Sequence, residues 1–217
     1  MTGLLLGLLA LDPTTLWAGL DDAAGWEEVD RKSYSDLGIE VLVRHKVVSG
    51  QHCLEGSTAA ALPVARLIAL ASDIPNQPSW SRYDLAAAVK LSAGADRFDY
   101  YEVLDNPSPV ADRAWFVRGE VLRQGDTAIF RWNQIDADAL YPDQVAAVKA
   151  EHSGVVFTRV NAGDWTFTPE GALTRIRYRI CTDAGGDLPA SIGQYAATKT
   201  LPGNLADIVQ EARRQEK

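Results

Sequence analysis

The chain has 217 residues, of which 47% are hydrophobic, 23% charged and 8% aromatic, enough apolar material for one large domain and too much for a disordered chain. Twenty-one Lys and Arg face 29 Asp and Glu, a net charge of −8. That excess repels phosphate backbones, so nucleic acid is excluded as a partner over most of the surface.

The first residues contain an apolar run from Leu4 to Leu11, too short to span a bilayer. No Lys or Arg precedes it, and Leu16 two before Ala18 departs from a small-x-small cleavage site. Residues 1–12 therefore read as a leader or as an extension of a first helix, with 13–217 a single domain. A cytoplasmic location is the plainer reading, and a periplasmic or secreted one follows if 1–18 is a signal peptide. Asp12 as cap and Pro13 in the first turn predict a short helix over about 13–23, stopped by Gly25.

From Trp26 to Glu55 the period changes to two. Ile39, Val41 and Val43 share one face while Glu40, Arg44 and Lys46 take the other, which predicts a meander of three strands. Ser57 or Thr58 then caps a predicted helix with Leu62, Ala65, Ile68 and Ala69 on its apolar face, ended by Pro75 and Pro78 before Trp80. A series of strands follows through "RYDLAAAVKLS", "RFDYYEVLD", "RAWFVRGEVLR", "DTAIFRWNQID", "GVVFTRVN", "DWTFTP" and "LTRIRYRICT". In the last, Thr174, Ile176, Tyr178 and Ile180 alternate with Arg175, Arg177 and Arg179, which predicts one dry face and one wet face. A final helix places Ile192, Tyr195, Ala196, Leu205, Ile208 and Val209 on its apolar side, and Pro202-Gly203 is expected to kink or break it. Cys53 and Cys181 belong to no C-x-x-C or Cys/His cluster; two buried thiols are the plainer reading and a single bridge the other. The class is α+β, a curved antiparallel sheet with helices.

This order, with "GWEEVDRKSYSDLGIEVLVRH", Trp80, "NPSPVADRAWFV" and "TDAGGDLPASIGQ" as landmarks over nearly the whole chain from about residue 13, resembles the START domain. That is the steroidogenic-acute-regulatory-protein-related lipid-transfer family, within the helix-grip superfamily that also holds polyketide cyclases and birch-pollen-type allergens. The middle and last stretches are the specific ones. The resemblance implies a helix-grip fold: about nine antiparallel strands curved around a long C-terminal helix, with an apolar tunnel between them for one sterol, phospholipid or other lipid. It also implies that the loop between the fifth and sixth strands, Asp105 to Asp112, closes the tunnel mouth beside the last helix. Pro107 and Pro109 stiffen that loop.

The gate is therefore expected at Asn106, Pro107, Ser108, Pro109, Val110 and Arg113. Arg113 matches the family's arginine and is expected to tie the end of the loop by a salt bridge or by backbone hydrogen bonds. Ala114 stands where the family more often has Asp, so Asp112 is the expected substitute partner.

Strand alternation directs Phe98, Tyr100, Glu102 and Leu104 inward, and Trp115, Val117 and Gly119 likewise. Phe130 with Trp132, and Trp165 with Phe167, are aromatic pairs at strand spacing that read as core or as tunnel wall. Tyr178, Ile192, Tyr195 and Ala196 complete the expected wall, and Gly185-Gly186 forms the turn into the last helix. Glu102 is an acid on an apolar face: an anchor for a sterol hydroxyl or a head group, or an inward acid satisfied by Arg113 or water. By count from Arg113, the facing acid and arginine of cholesterol-binding members fall on Tyr100 and Gly119, so that pair is absent; Gly119 leaves room and Tyr100 offers a hydroxyl.

The three histidines, His45, His52 and His152, accompany no nucleophile motif, no H-E-x-x-H and no phosphate loop, so no catalytic residue and no metal site is assigned. The function read from the sequence is carriage of a single hydrophobic ligand by a monomer, without cofactor and with transient membrane contact at the mouth. The alternative is a polyketide cyclase/aromatase-like enzyme using the same cavity, with Tyr100, Glu102 and a strand arginine as acid and base.

Overall fold

The structure, a computed structural model, describes residues 13–186 and 190–216, with the backbone alone at 13 and 190–194. The apolar run from Leu4 to Leu11 and the side chain of Ile192 lie outside the described residues.

Helix α1 (Pro13–Asp21) leads into the meander β1 (Glu27–Tyr34), β2 (Ile39–Val48) and β3 (Gln51–Ala60). Helix α2 (Val64–Ser72), a 3₁₀ helix (Ile74–Ser79), β4 (Leu85–Lys90), β5 (Arg97–Leu104), β6 (Arg113–Gln124) and β7 (Thr127–Gln134) follow. Helices α3 (Ala137–Leu140) and α4 (Pro142–Glu151) precede β8 (Val156–Phe157), β9 (Val160–Glu170), β10 (Leu173–Asp183) and α5 (Ala190–Arg214). The strands form one curved sheet in the order β1-β2-β3-β10-β9-β7-β6-β5-β4, with antiparallel pairing along that path and β8 attached to β6 in parallel. The predicted α+β class and the sheet wrapped around a long C-terminal helix are both present.

The inner face of the sheet is covered by two helices. From α5, Leu201, Leu205, Ile208, Val209 and Ala212 pack on it, and from α2 Leu67, Ile68, Leu70 and Ala71 close one end against β7, β9 and α5. Burying side chains of this size stabilises by about 1.5 to 3 kcal/mol each, which holds the helices in place without strong capping. Helix α2 starts later than the sequence period suggested. Ser57 and Thr58 are strand residues, Thr58 donates to the Glu40 carbonyl at 2.8 Å, and Pro63 stands at the cap with no side-chain hydrogen bond. Ala65 and Ala69 consequently face outward.

Three further expectations are corrected. The stretch 137–151, not recognised as helical, folds as α3 and α4, whose Val145 and Val148 cover Val103, Ala114 and Phe116 on the outer face of β5 and β6. Its apolar residues, mostly alanines, are spread around the helix and give no clear one-sided period, so the cover is recognisable only when the outer face of the sheet shows an apolar patch. "GVVFTRVN" and "DWTFTP" divide differently, into the two-residue β8 and one long β9. And α5 runs from Ala190 to Arg214 through Pro202 and Gly203 without a break. The packing of its apolar stripe along the sheet outweighs the local preference of those two residues.

The wet face of β10 is dry at one point. Arg179 is 1% exposed and pairs with Asp164, itself 0% exposed, while its Nη1 donates to the Leu20 carbonyl and its Nη2 reaches Asp21 at 2.8 Å. Helix α1 covers this arginine, and Lys46 on β2 binds the carbonyls of Gly19 and Asp22 at the end of the same helix at 2.8 and 2.9 Å. Beside them Cys53 and Cys181, directly opposed on β3 and β10, form a disulfide, so the two-thiol reading is wrong. Their pairing required knowledge of the β3–β10 register, which closes a sequence separation of 128 residues.

Candidate functional site

Between the sheet and the first half of α5 lies a cavity of about 520 Å³. Its walls come from β5, β6, β7, β9 and β10, its roof from Ala196, Ala197, Thr200, Leu201 and Asn204 of α5, and its rim from 80–85, 104–107, Val110 and Ala184. Of the expected wall, Tyr100, Glu102, Leu104, Trp115, Phe130, Trp132, Trp165, Tyr178 and Ala196 line it, and of the expected gate Asn106, Pro107, Val110 and Arg113. Ser108 and Pro109 belong to the same loop without facing the space.

Other expected wall residues lie elsewhere. Phe98, Val117 and Phe167 are filled core, packed with α2 and the neighbouring rings. Gly119 provides no room: a Cβ there would stand 2.7 Å from the ring of Phe130 and 3.1 Å from that of Tyr100. The register sets Tyr100 opposite Val117 and Glu102 opposite Trp115, with Gly119 opposite Phe98. Tyr195 is 67% exposed and points away from the cavity wall. The interior is thus half filled, by α2 and stacked aromatic rings at one end, and open at the other.

Glu102 is the chemically distinctive group. It is 7% exposed, its Oε2 accepts from the indole Nε1 of Trp115 at 2.7 Å, and its Oε1 is buried without a partner. Among the described residues neither Arg113 nor another cation balances it. Burial pushes its pKa up to about 7, against a smaller downward pull from the Trp115 hydrogen bond. Burial likewise raises the Tyr100 and Tyr178 phenols well above their ordinary value, so both stay neutral. Trp80 Nε1 and Asn204 Oδ1 are two more buried, unpartnered polar atoms on residues of this cavity.

The mouth is tied down by three sets of contacts. Arg113 donates from Nε to the Ala184 carbonyl at 2.9 Å and from Nη1 to that of Ala111, which joins the 105–112 loop to the segment entering α5. No ion pair with Asp112 forms; Asp112 instead accepts from the Asn106 backbone N–H at 3.1 Å and stands 3.5 Å from His152 Nδ1. Gly185 and Gly186 turn the chain at φ of 67° and 66°, and a Cβ on Gly186 would press on Val156 at 3.3 Å. Opposite, Asp207 of α5 accepts from the Arg82 backbone N–H at 2.8 Å and from its guanidinium at 2.9 and 2.6 Å, while Asn204 donates to the Tyr83 hydroxyl at 3.1 Å.

No family model matches the chain, and no characterised protein matches it in sequence at a significant level. Solved structures do match in shape. Human StAR-related lipid transfer protein 5 superposes with a TM-score of 0.76 at 12% identity, over 94% of each chain. A STAR-related lipid transfer protein from Xanthomonas axonopodis gives 0.71 at 19% identity, over 87% of this chain and 99% of that one. The chain has the START-domain fold. Zhui aromatase/cyclase from Streptomyces has a related architecture at a TM-score of 0.51 and 13% identity, over 76% of this chain and 95% of that one.

Within this START fold, Arg82, Tyr83, Asn204 and Asp207 were not singled out from the sequence. A signal for them exists: Thr200, Asn204 and Asp207, at helical spacing, make a polar line beside the apolar stripe of α5, and Asn204 and Asp207 are buried. Polar residues buried along a helix need partners on whatever packs there, which here is the segment following Trp80.

Proposed function

We propose that this protein binds one largely apolar molecule in the cavity beneath α5 and carries it, exchanging cargo at the mouth where 105–112 meets the helix. The observation that supports the reading most directly is the cavity itself: about 520 Å³, within the range of small-molecule sites, walled by tyrosines, tryptophans and aliphatic side chains. Apolar hollows of this kind stay dry and take apolar guests, and each buried CH₂ of a guest contributes about 0.8 kcal/mol.

Glu102 with its free Oε1 is the proposed polar anchor for a hydroxyl or other single polar group of the guest. Val110, 38% exposed beside the mouth, and Tyr195 on the adjacent turn of α5 offer apolar contact for a brief encounter with a membrane, in keeping with the net charge of −8, which opposes a lasting anchor on anionic lipid. The carrier works as a monomer and without a cofactor. Native mass spectrometry of the purified protein is the test: one retained apolar molecule per chain supports carriage, and a chain that neither retains nor takes up sterols or single-chain lipids rules it out.

One observation favours a second reading. A carboxyl poised near pH 7 in an apolar cavity is suited to proton transfer, so an aromatase/cyclase-like enzyme would use Glu102 as general acid or base with Tyr100 nearby. Turnover of an aromatic polyketide, lost in Glu102→Gln and accompanied by no retained lipid, would select it.

A further inference from the structure

The convex face of the sheet, on the side away from the cavity, bears a second concavity of about 700 Å³ over β3, β10, β9 and β7. Two rows of side chains run across the sheet here, the first with its middle pair, Arg179 and Asp164, buried beside the groove. Register places Arg44, Glu55, Arg179, Asp164 and Arg131 side by side on β2, β3, β10, β9 and β7, alternating in sign. Asp21 adds a third acid, 2.8 Å from Arg179 and 3.5 Å from Arg131, so three cations meet three anions and the row is balanced.

The adjoining row is not. It reads Ser57, Arg177, Thr166 and Ile129, with no acid, and Arg175 beyond it is already paired with Glu170 at 2.7 Å. Arg177 donates from Nη2 to Thr166 Oγ1 at 3.2 Å and pairs with no carboxylate among the described residues. Its Nε is buried without a partner, and so is the Nε of Arg131 in the same groove. Burial first, and Arg179 second, make the charged form of Arg177 less favourable, against an opposing pull from Asp164, Glu55 and Asp21 in the balanced row beside it.

We propose that this groove binds the phosphate group of a ligand, with Arg177 as the principal cation and the hydroxyls of Ser57 and Thr166 on either side of it. A guanidinium presents its N–H groups as a fork that fits an oxyanion, and buried charge of one sign is stabilised when the other sign arrives. The Thr166 hydroxyl already donates to Asp164 at 3.1 Å and that of Thr127 to Thr168 at 3.3 Å, so in this row the donors left for an incoming oxyanion are the Arg177 guanidinium and the Ser57 hydroxyl, and an acetate control separates phosphate from a carboxylate. The site is separate from the cavity and does not depend on what the cavity holds. On a chain of charge −8 it is a local exception, and the phosphate belongs either to a soluble molecule or to a lipid head group.

The test titrates the ¹⁵N-labelled protein with inorganic phosphate while the arginine Nε–H signals are followed, with sodium acetate and sodium chloride as controls. A saturable shift of the Arg177 and Arg131 signals with phosphate is expected, weakened about tenfold or more in Arg177→Gln, about the value of one charge-assisted hydrogen bond. Ser57→Ala, which removes one hydroxyl and no charge, is expected to weaken it less. A shift that is linear in salt, equal for acetate, or unchanged in both variants overturns the proposal. Sedimentation with phosphatidylcholine vesicles, with and without phosphatidic acid, then identifies the source: Arg177-dependent binding to the acidic vesicles assigns a head group, and phosphate binding without sedimentation assigns a soluble phosphate.

Discussion

Arg113 Nε donates to the backbone carbonyl of Ala184 at 2.9 Å, linking residues 71 apart in sequence. One guanidinium thereby holds the end of the mouth loop to the chain that enters α5, using carbonyl acceptors and no carboxylate. Parting the loop from that segment breaks the bonds to the Ala184 and Gly185 carbonyls, while those to Ala111 and Asp112 stay with the loop.

Arg113→Met should therefore speed ligand exchange more than it lowers stability. Each net hydrogen bond contributes about 1 kcal/mol, and loss of two to three of them should raise the release rate of a fluorescent lipid roughly tenfold to a hundredfold. Stopped-flow release to acceptor vesicles measures this; a release rate equal to that of the unmodified protein would show that the mouth opens elsewhere.

Glu102 links the cavity to pH. Its pKa is raised from 4.5 to about 7 on folding, so between those values the folded chain binds more protons than the unfolded one, and stability falls as pH rises through that window. The cost is complete above about pH 7 and amounts to on the order of 2 to 4 kcal/mol. Glu102→Gln keeps an acceptor for Trp115 and removes the charge. It should be more stable than the parent at pH 8 and nearly equal at pH 4, as read by urea unfolding; equal stability at both pH values would mean that the carboxyl is solvated.

Arg179 and Asp164 form a buried pair beneath α1, and removing one partner leaves the other uncompensated. Arg179→Met should cost about 3 to 5 kcal/mol, and the double change Arg179→Met with Asp164→Leu should recover much of that loss. Chemical denaturation of the parent, both single variants and the double variant closes the cycle, and a double variant no better than Arg179→Met would place the loss in the bonds to Leu20 and Asp21.

The cavity predicts a contrast between two tryptophans. Ala197→Trp enters open space at the roof and should abolish loading with little effect on unfolding. Gly119→Trp meets Phe130 and Tyr100 and should unfold the protein, by overpacking that costs more than about 3 kcal/mol. Thermal melts and lipid loading on both variants separate the effects, and full loading of Ala197→Trp would remove the cavity from the function.

How much of this was legible beforehand differs by element. Period-two alternation in β2, β5, β6 and β10 and the apolar stripe of α5 are local signals, and they located the sheet, the last helix and most of the cavity wall. Glu102 stood out because an acid on an apolar face breaks the pattern. Its partner did not, because Trp115 lies across the strand pair and only the register brings the indole to the carboxyl.

The sequence by itself determined which residues alternate, which faces are greasy and where the chain turns, since backbone geometry enforces those periods within a few residues. Tertiary structure alone decided which hollow survives. α2 and the ring of Phe130 fill the space that Gly119 suggested, α1 dries the face of Arg179, and Cys53 meets Cys181 across 128 residues. Packing joins residues by volume and register, and neither quantity is written in any local stretch of the chain.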